Sequence, residues 1–200
     1  MAEHNDDHDE WLALAARWIV EDGLDYASAK QRAARALGLG ARAAWPDNAA
    51  LEAAVRDHIA LFCPLEQAQA LRALRELALR WMRCLAAFRP HVGGAVWRGT
   101  ATWHSDVELH LFCDDPKAAE LGLIDMGLQF SVGQTQGFRG DCVDVLSLSA
   151  RCPGRTQPVR VHLMIYDYDD LRGAIKPDAR GRWRGDAQAL ERLLAEPEAV

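Results

Sequence analysis

Two adjacent glycines, Gly93 and Gly94, precede an alternating segment, Asp106-Val107-Glu108-Leu109-His110-Leu111-Phe112, with eleven residues between Gly94 and Asp106. Side chains of a strand alternate between its faces. Asp106, Glu108 and His110 therefore share one face, and Val107, Leu109 and Leu111 share the other. Two carboxylates side by side at a strand edge repel each other. A divalent cation removes that cost, and hard oxygen donors favour Mg2+ or Mn2+. Such an ion bridges the oxygens of a nucleoside triphosphate (NTP) and stabilises charge at the transferring phosphorus. Gly93 and Gly94 would leave backbone N–H groups close to the phosphates. Arg98, Thr100, Thr102 and Ser105 would add donors. The plain alternative is an exposed strand face beside a glycine turn.

The elements that must hold these residues follow from hydrophobic periodicity. The first ten residues carry five acids and two histidines, so 1–10 is expected to be a disordered acidic tail. Trp11, Leu14, Ala15 and Trp18 then repeat at helical spacing. Asp25 caps a second helix bearing Tyr26, Ala29, Ala33 and Leu37, closed by Gly38 and Gly40. A third helix is expected to begin near Asp47, with Leu51, Ala54, Val55 and Ile59 on its stripe. Pro64 suits the first turn of a long fourth helix carrying Leu71, Leu74, Ala78, Trp81, Leu85 and Phe88, and Pro90 ends this helical region, 11–89. Beyond it the pattern changes. Val92–Trp97 reads as a short strand or strand-turn, Asp106–Phe112 as the clearest strand, and Pro116–Met126 as a helix. Further strands are expected at Leu128–Val132, Cys142–Ala150 and Val159–Tyr166, with loops over Gly133–Gly140 and Pro153–Pro158 and a last helix near Ala187–Leu194. The expected fold class is α+β: an all-helical N-terminal region, then a mixed sheet with flanking helices over 90–200.

The order hydrophobic-Gly93-Gly94, an intervening stretch, then Asp106-hydrophobic-Glu108-hydrophobic resembles the signature of the DNA polymerase β-like nucleotidyltransferases. Arg98-Gly99-Thr100-Ala101 followed by Ser105-Asp106 also resembles its small bacterial members. The resemblance covers about residues 90–170 and implies a nucleotidyltransferase-like sheet. The whole chain further resembles a small proteobacterial group sometimes labelled UDP-N-acetylmuramate–alanine ligase. The chain has no Gly-x-x-x-x-Gly-Lys-Ser/Thr loop and is short for a multidomain ligase.

The superfamily resemblance implies two metal ions held by three carboxylates. Asp106 and Glu108 match the first two, and the third belongs on a later strand. Val143-Asp144-Val145 offers Asp144, which would also serve as a base. Val159-Arg160-Val161-His162-Leu163 is a match in strand order and offers His162 instead of an acid. His104 and His110, with Asp106 and His162, make an alternative non-standard metal set. Gly93, Gly94, Arg98, Thr100 and Ser105 are the expected phosphate-binding residues. The implied reaction is attack by an acceptor hydroxyl on the α-phosphorus, with release of pyrophosphate. The acceptor would be a small molecule, a protein side chain or an RNA end. With His162 in third place the carboxylate set is incomplete. The alternative is then a catalytically degenerate protein that binds a nucleotide or acts as a protein-interaction module.

Composition narrows the partners. Acids outnumber bases by 29 to 23, giving a net charge of -6 over 200 residues, which argues against a general coat for extended nucleic acid. No apolar stretch approaches the ~20 residues needed to span a bilayer, and the acidic start is unlike a signal peptide. Five cysteines without a CxxC pair suit reduced thiols, so a cytoplasmic protein is expected. The seven tryptophans are expected in cores. Alanine-rich helices with aromatic stripes suit internal packing and a homo-oligomer equally.

Overall fold

The computed structural model describes residues 3–39, 45–176 and 184–196, with side chains from residue 8 onward. The chain forms two compact units, residues 1–69 with 102–104 and residues 70–101 with 105–200.

The first unit is helical. Helix α1 (Glu3–Asp22) begins inside the segment where the sequence predicts a tail. Helix α2 (Tyr26–Ala36) starts at Asp25, whose carboxylate accepts from Ala27 N at 2.9 Å and Ser28 N at 3.0 Å. Helix α3 (Asn48–Phe62) starts in the same way, with Ala50 N donating to Asp47 at 2.7 Å. The expected stripes of all three helices meet in one core of Trp11, Ala15, Ala16, Val20, Ala29, Ala33, Leu51, Val55 and Ile59. Trp11 Nε1 satisfies itself on Lys30 O at 2.9 Å. The predicted closing residue Gly40 lies outside the described residues.

Helix α4 (Pro64–Cys84) passes into the second unit at residue 70, where Leu74, Leu77, Ala78 and Met82 are buried. Each fully buried aliphatic side chain of this kind contributes about 1.5–3 kcal/mol. A five-stranded sheet follows, in the order β1-β2-β5-β4-β3. Its strands are β1 (His91–Val92), β2 (Val107–Cys113), β3 (Ser131–Gln136), β4 (Cys142–Ala150) and β5 (Val159–Asp167). Only β2 and β5 run parallel, and the other pairs are antiparallel. Helices α5 (Gly94–Arg98), α6 (Pro116–Asp125), α7 (Leu171–Ala174) and α8 (Ala187–Ala195) complete a mixed α+β architecture behind an N-terminal helical region.

Register sorts the sheet into two faces. Leu109 lies opposite Leu163, and Leu163 opposite Leu146, so these residues with Val107, Leu111, Val161 and Leu148 form the buried face. Glu108 lies opposite His162, and His162 opposite Ser147, on the other face.

Two local expectations shift. The strand expected over Val92–Trp97 is only His91–Val92, after which the chain turns into α5. The strand expected at Leu128–Val132 is displaced to Ser131–Gln136, into the predicted loop. All six residues of β3 are exposed, so this edge strand lacks the alternation that would mark it in sequence.

Candidate active site

The site is built on the sheet face opposite Leu109 and Leu163, whose far end is closed by a second buried cluster of Phe112, Tyr166 and Ala174. Strand β2 supplies Glu108 and His110, with Asp106 just before its first residue. Strand β5, directly alongside and parallel, supplies Arg160, His162 and Tyr166, and β4 supplies Ser147. The chain from β1 turns at Gly93, which opens α5.

That turn brings the two halves of the sequence motif into contact. Gly94 has φ +61, a left-handed conformation, and a Cβ there would lie 2.7 Å from Cδ and Oε2 of Glu108. At Gly93 a Cβ would lie 2.7 Å from His110 Nε2 and 3.7 Å from Arg184 Cγ. The backbone holds the same approach, with Gly93 N donating to Glu108 O at 3.0 Å. The glycines are therefore the condition for laying this backbone over the acidic strand.

Asp106, His162 and Ser147 form a line across three strands. His162 Nε2 is 3.3 Å from Asp106 Oδ2, and His162 Nδ1 is 2.8 Å from Ser147 Oγ. The carboxylate favours the proton on Nε2, so Nδ1 accepts from the Ser147 hydroxyl. Arg160 Nε lies 3.5 Å from the same Asp106 oxygen. Burial pushes the Asp106 carboxyl up, but the His162 hydrogen bond and the Arg160 charge outweigh it and hold the group below its ordinary 3.8. Asp106 is thus anionic at neutral pH.

A second cluster adjoins the first. Arg184 Nε donates to His110 Nδ1 at 3.1 Å and its Nη1 to Ala174 O at 3.3 Å. The guanidinium sits 4.6 Å from the centroid of Phe138, and Phe138 packs on Tyr166 at 4.9 Å. Arg184 makes no ion pair with a carboxylate among the described residues, and burial lowers its pKa against support from Tyr166 and Glu108. His110 is buried and neutral. Burial first, then the charges of Arg184 and His91, hold it well below its ordinary 6.5. The unfolded chain protonates this histidine below about pH 6.5 while the folded chain does not. Its contribution to stability is therefore whole above that pH and lost as pH falls, by at most about 1.4 kcal/mol per pH unit. Urea midpoints compared at about pH 7.5 and about pH 5.5 should fall with acid, and fall less in His110→Gln.

Several expected site residues are not brought together. Asp144 shares its parity with Leu146 and Leu148, so it lies on the opposite face from Glu108 and His162. There it accepts from Gln134 Nε2 at 3.0 Å. Of the two candidates for the third position, His162 is the one that lies beside Glu108. Thr100 is buried, with its Oγ1 unpaired among the described residues. Ser105 is half-buried just before Asp106, and Arg98 closes α5. His104 lies against Gly23 and His110 is engaged by Arg184, and among the described residues these side chains form no metal-holding group. Asp167 caps the turn after β5 and Asp170 pairs with Arg139.

Among the described residues, no group of three His, Cys, Asp or Glu side chains could hold a metal ion. Asp106 and Glu108 are the carboxylates on this face that would hold a divalent ion, whose charge would offset their mutual repulsion. They do not supply the third carboxylate of a two-ion site.

Sequence reasoning missed Arg184, Arg160 and Ser147. Strand parity with His162 was available as a signal for Arg160. Ser147 needed the β4–β5 register, and Arg184 lies in a segment with no periodicity to read.

No protein-family model matches the chain, and no curated protein matches it. Among solved structures, Cid1 poly(U) polymerase with bound MgGTP matches at 16% identity and TM-score 0.33, over 48% of this chain and 32% of that one. A Cid1 structure described for its RNA terminal uridylyl transferase activity matches at 17% identity and TM-score 0.33, over 48% and 30%. Cid1 with the UTP analogue UMPNPP matches at 16% identity and TM-score 0.34, over 52% and 33%. The chain thus spans about a third of the length of these structures. Nothing in these comparisons supports the proteobacterial group or the ligase label. Among the described residues, no helix is long and apolar enough to cross a membrane.

Proposed function

We propose that the sheet face bearing Asp106, Glu108 and His162 binds an NTP with one Mg2+ or Mn2+ and transfers its nucleotidyl group to an acceptor hydroxyl, releasing pyrophosphate. The observation that carries this reading is the contact of the Gly93-Gly94 turn with Glu108, 2.7 Å from the position of a Gly94 Cβ. It sets a backbone turn beside two carboxylates on an accessible strand face. Asp106 and Glu108 would hold the cation, which would supply charge stabilisation at the phosphates. Gly93 and Gly94 let the backbone approach His110 and Glu108 closely, and Arg98 closes the short helix that they open. His162 does not add a third acid. It holds the Asp106 carboxylate in place, and Ser147 orients the imidazole. Arg184 is the cation best placed to meet a phosphate, because no carboxylate among the described residues pairs with it.

The acceptor class is a small molecule, a protein side chain or an RNA end. A second reading has one observation in its favour: among the described residues only Asp106 and Glu108 stand as carboxylates on this face, because Asp144 turns to the other. On that reading the protein binds a nucleotide without turnover or acts as an interaction module.

Titration with each NTP, with and without Mg2+ or Mn2+, tests the first reading when joined to pyrophosphate release across an acceptor panel. Metal-dependent binding with release supports transfer. Binding without release against every acceptor favours the second reading, and no binding overturns both as nucleotide readings. Arg184→Gln should weaken NTP binding about tenfold, roughly 1.4 kcal/mol, with Arg184→Lys between it and the parent. Calorimetry of the three chains measures this directly.

A further inference from the structure

The first unit carries an apolar groove that the described residues leave open. Helix α3 buries Leu51, Val55 and Ile59 in the three-helix core. Its neighbouring stripe faces α1 across an open groove of about 510 Å³, walled by Leu12, Ala13, Ala53, Ala54, Leu61 and Phe62. At the end of that stripe Leu61 is 73% exposed and Phe62 66%, and Leu65 in the first turn of α4 is 75% exposed. Three large apolar side chains in a five-residue stretch leave far more apolar surface in water than scattered exposure explains. The alanines make the groove floor shallow enough for a helix backbone to approach closely, while Leu61 and Phe62 stand as anchors at one end.

Charge selects the occupant. The described lining includes Asp9, Asp57 and His58, and no lysine or arginine. A second copy docked face to face by a two-fold axis would bring these acids against their own copies, and like charges across an interface are costly. A helix with an apolar stripe and flanking basic residues fits both the groove and its charge. We propose that the α1–α3 groove docks an amphipathic helix of a partner protein, one that presents leucine-like anchors between lysine or arginine flanks. This surface is independent of the nucleotidyl-transfer reading.

The test uses the full chain and three synthetic peptides of about 15 residues. One is a Leu/Lys helix with an i, i+3, i+4, i+7 apolar stripe. One is its Leu/Glu twin, and one has the Leu/Lys composition with the stripe scrambled. The expected result is saturable one-to-one binding of the first peptide by calorimetry, with nuclear magnetic resonance shifts confined to α1, α3 and the start of α4. The paired substitution Leu61→Ser with Phe62→Ser should weaken it at least about tenfold. Ala53→Arg, at an exposed position in the groove wall, should do the same, so the test does not depend on one variant. Asp57→Lys should weaken it about threefold. Equal binding of the twin or the scrambled peptide overturns the proposal, as does a footprint outside α1, α3 and the start of α4. Unchanged affinity in the substituted chains also overturns it. A concentration-dependent dimer that Leu61→Ser with Phe62→Ser dissolves would assign the groove to a second copy instead.

Discussion

Asp106→Asn is expected to lower metal-dependent nucleotidyl transfer at least about a hundredfold while leaving the fold intact. The carboxylate is the meeting point of three groups: it accepts from His162 Nε2 at 3.3 Å, lies 3.5 Å from Arg160 Nε, and shares the acidic strand with Glu108. Asparagine keeps an oxygen for His162 and the same volume, so the thermal midpoint should move little. It removes the negative charge, and a single neighbouring carboxylate holds a divalent ion poorly. Pyrophosphate release and Mn2+ affinity measure the loss, and thermal unfolding controls for structure. Unchanged turnover in Asp106→Asn would remove this residue from the chemistry and with it most of the case for transfer at this face.

Gly94→Ala should damage both stability and the site. The added methyl group meets the Glu108 carboxylate at 2.7 Å, and φ +61 is a conformation that alanine adopts at a cost. Together these effects should destabilise the chain by about 1–3 kcal/mol. The clash is with a side chain, so part of the strain is released when Glu108 swings away, and a divalent ion held here would then lose a ligand. A double-mutant cycle separates the contributions. Glu108→Asp shortens the side chain by one methylene, so Gly94→Ala should cost measurably less in that background. Additive urea midpoints in the cycle would show that the two residues do not share the contact.

The helices of the first unit were legible because their cause is local. Asp25 and Asp47 announce their caps in sequence, and both bond their helix N-termini as expected. Strand β2 was legible because its alternation separates Glu108 from Leu109 and Leu111 on opposite faces. The contact of Gly94 with Glu108 was foreshadowed by the order of the motif. The third site position was not legible. Asp144 and His162 both sit between aliphatic residues on strands, and only the β4–β5 register, with Ser147 opposite His162, tells which face each one joins. Arg184 escaped because tertiary packing, with His110 and Phe138 as partners, gives it a place that no periodicity marks.

Strand β3 sits at the margin of the sheet, joined only to β4, with every residue exposed and no charge or proline in Ser131–Gln136. Its attachment rests on one ladder of backbone hydrogen bonds and exposed side-chain bonds such as Gln134 Nε2 to Asp144, without apolar burial beneath it. That makes it the strand that can detach while the rest of the sheet stays closed. Its amides should take up deuterium well before those of β2 and β5, through openings that cost far less than global unfolding. Such a margin also offers its outer backbone groups to any extended chain, because nothing along it repels a new strand.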